Sequence, residues 1–371
     1  MKEFYLNSPN NNLKSNITNT ILLNSDSLSY HKTLDEYSST PLYSLKNLSK
    51  KLGIKEIFIK DESKRFGLNA FKGLGASFAI HKLLLQNPNI STFCTATDGN
   101  HGRAVAWAAA KHKKKSVIFV PKETSKERID AISYYGAEVI QLNMNYEDSC
   151  KYASKTSDKN NWQLVQDTSW ENYEEIPAYI MSGYITHLRE MENNLNNSNI
   201  PNIDIIFLQA GVGSWPASCI WYYINRYKKK RPKIVLVEPD NSSGILQSFT
   251  LNKRITPSGN TGTIMAGLNC GIPSKSGWEI IKNGCDAVLT ISDDYAKEAM
   301  RILFFPIKDD KRIISGESGA AGLAGLMKCL DSKKYDDLNE HIGLDSSSRV
   351  LVFSTEGDTD KKSFNSIINQ K

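Results

Sequence analysis

The chain has 371 residues, 40% hydrophobic and 23% charged; Lys plus Arg total 46, Asp plus Glu total 40, and the formal net charge is +6. At roughly 100–200 residues per domain, this length predicts two or three domains, or one large α/β unit with a sizeable core. The composition excludes collagen, coiled coil and wholesale disorder, and a small positive excess interspersed with acids argues against a nucleic-acid partner.

In chain order, the N-terminus shows no apolar core followed by a small-residue cleavage site, so no signal peptide is expected. No apolar run approaches the roughly 20 residues that span a bilayer. A cytoplasmic protein that engages no membrane is the expectation. Residues 1–40 are polar and weakly patterned and read as an extended arm over the body. Ile54–Ile59 alternates like a strand. Phe71–Leu84 reads as a helix, Thr92–Ala96 as a strand, Asp98–Gly102 as a turn and Arg103–Lys111 as an Ala-rich helix. Ser116–Val120 is a buried strand, Lys126–Tyr135 a helix stopped by Gly136, and Ala137–Leu142 the next strand. One more helix falls within Asn143–Asn161, and Glu174–Glu192 is a long one. Ile203–Leu208 is a strand, Pro216–Tyr227 a helix and Lys233–Val237 a strand. Ala287–Ile291 and Val350–Ser354 are further strands around the small-residue helix Ser318–Leu330. Alternating strands and helices predict an α/β fold with parallel sheets. The basic runs Lys111–Lys115 and Lys228–Arg231 each follow a helix-like stretch and read as solvated helix C-termini.

Six cysteines occur without a CxxC pair, so free buried thiols are expected, with a Cys270–Cys285 bridge left open. No His or Cys spacing suggests a metal. Four segments suit chemistry. Gly211-Val212-Gly213-Ser214 joins a strand to a helix, where free amides suit an anion, although many such turns hold glycine merely to turn. Lys72 sits at a helix start, where the dipole would lower its pKa; alone it is an ordinary lysine. Thr95–Gly102 enters the Ala-rich helix and suits a carboxylate, with Asp98 equally an N-cap. Ser354 and Thr355 follow a buried strand, where open α/β folds bind ligands, or form a plain polar turn.

Together, KDESKRFGLNAFKGLGASFA, TATDGNHGRAVAWAA, QDTSWENYEEIP, AGVGS, VEP and IMAGLNCG resemble the fold type II pyridoxal-phosphate enzymes (tryptophan synthase β-like), and within them the diaminopropionate ammonia-lyase branch. The resemblance spans about Thr40 to the end. It implies two three-layer α/β/α domains with pyridoxal 5′-phosphate between them. The large domain would comprise 1–76 and 171–371, and the small, mobile one 77–170. Lys72 would carry the cofactor, Gly211, Val212, Gly213 and Ser214 its phosphate, and Asn100 would lie beside the ring 3′-oxygen. Ser354, or its neighbour Thr355, would face the ring nitrogen. Thr95, Thr97, Asp98, Gly99, His101 and Asp167 would bind the amino acid substrate, Asp167 at its β-ammonium. The implied reaction converts D- and L-2,3-diaminopropionate to pyruvate and ammonia, with Lys72 as base for the L-form and Asp98 for the D-form. A serine/threonine dehydratase or β-replacing synthase shares the fold, and a non-catalytic binding protein is the remote alternative. A homodimer is usual in such relatives. Trp215-Pro216 after AGVGS departs from the small residues expected there.

Overall fold

β-branched and aromatic runs bounded by Gly, Pro and polar turns form eleven strands in the computed structural model, which describes residues 2–97, 99–197, 202–256 and 262–370. They are β1 (Phe4–Leu6), β2 (Leu42–Ser44), β3 (Glu56–Asp61), β4 (Thr92–Ala96), β5 (Lys115–Pro121), β6 (Glu138–Leu142), β7 (Gln163–Leu164), β8 (Ile205–Gln209), β9 (Lys233–Pro239), β10 (Ala287–Ile291) and β11 (Arg349–Ser354). Seven build one sheet in the order β1-β10-β9-β8-β11-β3-β2, and four build another in the order β6-β5-β4-β7. Every pair is parallel except the two at the edges of the larger sheet, β1 with β10 and β2 with β3. Parallel strands are covered on both faces, so they read as continuous apolar runs. β8 and β10 are buried throughout.

The expected strands and helices all occur, with ends moved by a few residues. The helix after β4 starts at Asn100 rather than Arg103, because Thr97 Oγ1 accepts the Gly99 and Gly102 amides at 2.9 and 3.1 Å and closes the turn early. The N-terminal segment is not an extended arm. Phe4–Leu6 pairs with Ala287–Leu289, Tyr5 stacks on Phe249 at 5.1 Å, and helices form at Ile17–Leu23 and Ser27–His31. His31 is buried between Thr186 Oγ1 at 2.6 Å and the Leu74 carbonyl at 3.0 Å. An edge strand this short needs partners supplied from far along the chain, which local patterning does not display.

Both basic runs lie at helix C-termini: Lys111 ends the helix Asn100–Lys111, and Lys228–Lys230 forms an exposed turn after Ser214–Tyr227. All six cysteines are buried and none is in a disulfide, so Cys270 and Cys285 are not bridged. Among the described residues no helix is long and apolar enough to cross a membrane.

Candidate active site

The site lies where the carboxyl ends of β4, β8 and β11 meet. Lys72 is brought there by main-chain pairing. The Phe71 amide donates to the Thr355 carbonyl at 3.1 Å, and the Gly357 amide to the Asn69 carbonyl at 2.8 Å. This fastens the segment before the Lys72–Gln86 helix to the one leaving β11. Phe71 packs on Tyr184 and Trp215, with ring centroids 4.9 and 5.4 Å away, so the lysine root is held on both sides. Trp215 thus supports this wall.

Lys72 Nζ lies 2.5 Å from Asp167 Oδ2. Burial alone would lower the lysine pKa, but the Asp167 carboxylate outweighs it and keeps the ammonium charged. The expected lowering by the helix terminus is therefore corrected: a carboxylate in direct contact outweighs a dipole of about half a charge. Burial would likewise raise Asp167, yet His101, charged in the acid range where Asp167 titrates, and Lys72 hold it down at about 2. His101 Nδ1 stands 3.8 Å from the same oxygen, and the Tyr146 hydroxyl lies 3.5 Å from Oδ1.

Across the cavity, Gly213 takes φ +88° just before the Ser214–Tyr227 helix. A Cβ there would sit 2.8 Å from Ile281 Cδ1, and one at Gly211 would sit 3.0 Å from the Gly267 carbonyl oxygen. Only glycine leaves this turn open, and the first amides of a helix lack intrahelical acceptors. Ser214 Oγ donates to the Asp167 carbonyl at 2.6 Å, so its hydroxyl ties the cradle to the acid while its amide remains at the helix start.

One cavity is lined by Lys72, Gly99, Asn100, His101 and Asp167. Thr97, the Gly211–Ser214 turn and Thr355 complete it. Thr95 and Ser354 are not on this wall. Thr95 Oγ1 bonds Gln166 Oε1 at 2.9 Å, and Ser354 Oγ bonds Ser315 Oγ at 2.9 Å, both fully buried. Side chains alternate along an extended segment, so Thr355, not Ser354, presents its hydroxyl to the cavity side; Gln209 Nε2 donates to it at 2.9 Å. Asp98 lies outside the described residues.

Sequence reading missed Tyr146, Gln209, Arg128 and Glu356, which also line the cavity. Glu356 accepts from Asn100 Nδ2, and from the Ser318 amide at 3.1 Å. Glu356 could have been suspected from the polar run after β11; the other three carry no local signal. The KDESKR segment is not in the cavity. Its Arg65 joins Glu62 (2.8 Å) and Glu190 (2.6 Å), with Lys60 3.1 Å from Glu190, in a fully buried ion cluster.

These residues fit pyridoxal phosphate. The glycine cradle with its helix amides suits a phosphate monoester. The cavity lysine suits an aldehyde, and the Thr355 hydroxyl and Asn100 amide suit the polar atoms of a flat ring.

Residues 33–352 match the family described as pyridoxal-phosphate dependent enzyme. The chain is 39% identical to the diaminopropionate ammonia-lyase of Escherichia coli K12 over 356 residues, covering 91% of this chain and 89% of the relative. It is 40% identical to that of Salmonella typhimurium over 365 residues, covering 92% and 90%. A crystal structure of the Escherichia coli diaminopropionate ammonia lyase in complex with D-serine superposes with TM-score 0.91 at 36% identity, covering 99% of this chain and 96% of that one. The chain belongs to the fold type II pyridoxal-phosphate dependent enzymes and is diaminopropionate ammonia-lyase-like within them.

Proposed function

We propose that this chain converts 2,3-diaminopropionate, as either enantiomer, to pyruvate and ammonia. The observation that carries this reading is a buried carboxylate, Asp167, already gripping a primary ammonium inside the cavity: Lys72 Nζ at 2.5 Å. The β-ammonium of a diamino acid offers the same charge and N–H donors. A hydroxyl in its place would leave the carboxylate without a counter-charge, which is costly in a buried site.

Pyridoxal phosphate, when bound, supplies the electron sink that acidifies the α-proton and allows the β-substituent to depart. The chain's residues then divide the remaining work. Lys72 holds the cofactor and takes the α-proton of the L-form; Asp98 takes that of the D-form from the opposite face. The amides of Gly211, Val212, Gly213 and Ser214 hold the phosphate. Asn100 and Thr355 orient the ring, with Ser354 buried behind. Thr97, Gly99 and the start of the Asn100–Lys111 helix receive the substrate carboxylate, and Thr95 supports them through Gln166. Asp167 keeps the β-amine protonated until it leaves as neutral ammonia. Overall one water is consumed and two ammonia molecules are released with one pyruvate.

Residues 77–170 would move as a small domain against 1–76 and 171–371 and exclude water on closing. The bonds Asn100–Glu356 and Ser125–Asp360 (2.8 Å) would lock the closed form. A cytoplasmic homodimer is proposed as well: six buried cysteines without a disulfide suit a reducing compartment, and a dimer is usual in this fold.

The deciding experiment is pyruvate release from D- and L-2,3-diaminopropionate beside serine and threonine, with the absorbance spectrum of the purified protein. A yellow protein active on both diaminopropionate enantiomers is expected. Activity confined to serine or threonine would overturn the reading.

A further inference from the structure

His101 is the one imidazole in the cavity among the described residues, and its tautomer is fixed by its surroundings. Its Nε2 lies 2.8 Å from the Val165 carbonyl oxygen. A carbonyl only accepts, so Nε2 carries a hydrogen, and in the neutral ring Nδ1 then presents a bare lone pair. The Val165 amide is itself bonded to the Cys94 carbonyl at 2.8 Å, so the group that sets the tautomer is anchored to β4. His101 is 4% exposed, and Nδ1 has no hydrogen-bond partner among the described residues. A buried acceptor left without a donor is unfavourable. This one lies 3.8 Å from Asp167 Oδ2, an acceptor too. Two acceptors side by side, one charged and one neutral, match a group with several N–H donors and a positive charge.

Resting on the diamino acid reading above, we propose that His101 Nδ1 and Asp167 Oδ2 together form the seat of the substrate β-ammonium. The Val165 carbonyl, by fixing the imidazole tautomer, makes that seat selective for a donor. Lys72 Nζ, now on Asp167, shows that the Asp167 half of the seat accepts a primary ammonium, while Nδ1 is left for a further N–H of the substrate. Burial pushes the His101 pKa down, and Lys72 opposes its charging further, although Asp167 pulls the other way; the ring stays neutral. It therefore accepts a hydrogen bond without removing the proton. The ammonium stays charged until the Cβ–N bond breaks and nitrogen leaves with the bonding pair as neutral ammonia. Selectivity for an amine over a hydroxyl leaving group then rests on two residues, not on Asp167 alone.

The test uses holoenzyme selectively labelled with ¹⁵N-histidine, practicable with six histidines in the chain. The probe is L-2,4-diaminobutyrate, whose γ-ammonium cannot leave by β-elimination, compared with L-2-aminobutyrate, which lacks the second amine. The His101 signals should report the neutral Nε2–H form. The diamine should shift Nδ1 in the direction of hydrogen-bond acceptance, and 2-aminobutyrate should not. His101→Leu should weaken diaminobutyrate binding by about tenfold or more, leaving 2-aminobutyrate within about twofold. His101→Gln, which retains an acceptor, should recover part of the loss. An Nδ1–H tautomer, or equal responses to both probes, overturns the proposal. These readouts need no pyruvate, so failure of the seat is distinguishable from failure of the diaminopropionate reading.

Discussion

Lys72 and Asp167 lie 95 positions apart and meet as an ion pair of 2.5 Å on the cavity wall. Lys72 starts the helix fastened to β11 of the larger sheet, while Asp167 follows β7 of the smaller one. The pair therefore joins the two sheets at the reacting centre, and it keeps the lysine protonated until another group claims one partner.

Lys72→Ala should remove the yellow colour and lower pyruvate release by at least about 10³-fold, since anchor and base are both lost. Absorbance and a coupled pyruvate assay read the two effects separately. A colourless protein with undiminished activity would contradict the assignment.

Asp167→Asn removes the counter-charge. KM for diaminopropionate should rise about ten- to hundredfold, the worth of a hydrogen bond to a charged group. The serine KM, if serine reacts, should change much less. Parallel increases for both substrates would argue that Asp167 acts only through Lys72.

Asp98→Asn should reduce turnover of D-diaminopropionate by about 10²-fold or more and spare the L-form comparatively. Equal losses on the two enantiomers would assign Asp98 to binding instead.

Gly213→Ala places a Cβ at φ +88°, 2.8 Å from Ile281 Cδ1. The left-handed backbone costs about 1–2 kcal/mol for a non-glycine residue. Weaker cofactor retention is expected, measured by dialysis and absorbance, together with a lowered Tm. Full retention would show that the turn can shift.

Arg65→Met leaves Glu62 and Glu190 buried without their guanidinium and should destabilise the fold by about 3–5 kcal/mol in urea titration. Burial alone would raise both carboxyls, but Arg65 outweighs it and depresses them, as the site outweighs it for Asp167. Depressed carboxyls stabilise the fold above their unfolded values, and that contribution is lost as pH falls. Tm should therefore decline from about pH 4 towards the Asp167 value of about 2. A Tm flat across that window would show that the cluster contributes little.

The amino-acid sequence by itself determined the alternation of strands and helices, because buried parallel strands write continuous apolar runs and helix starts write glycine and hydroxyl signals. Its motifs, through the family they resemble, pointed to Lys72, the Gly211–Ser214 turn and Asn100, which line one cavity. Only the tertiary structure decided which neighbour faces the cavity. Ser354 and Thr355 are adjacent hydroxyls, and the register of β11 turns one to Ser315 and the other to Gln209. Only tertiary structure found Tyr146, Gln209 and Arg128 on the cavity wall, because their meaning lies in distant partners. It also reversed the expected pKa shift of Lys72. The helix dipole is written in the local sequence, whereas the Asp167 carboxylate that outweighs it arrives from the other sheet.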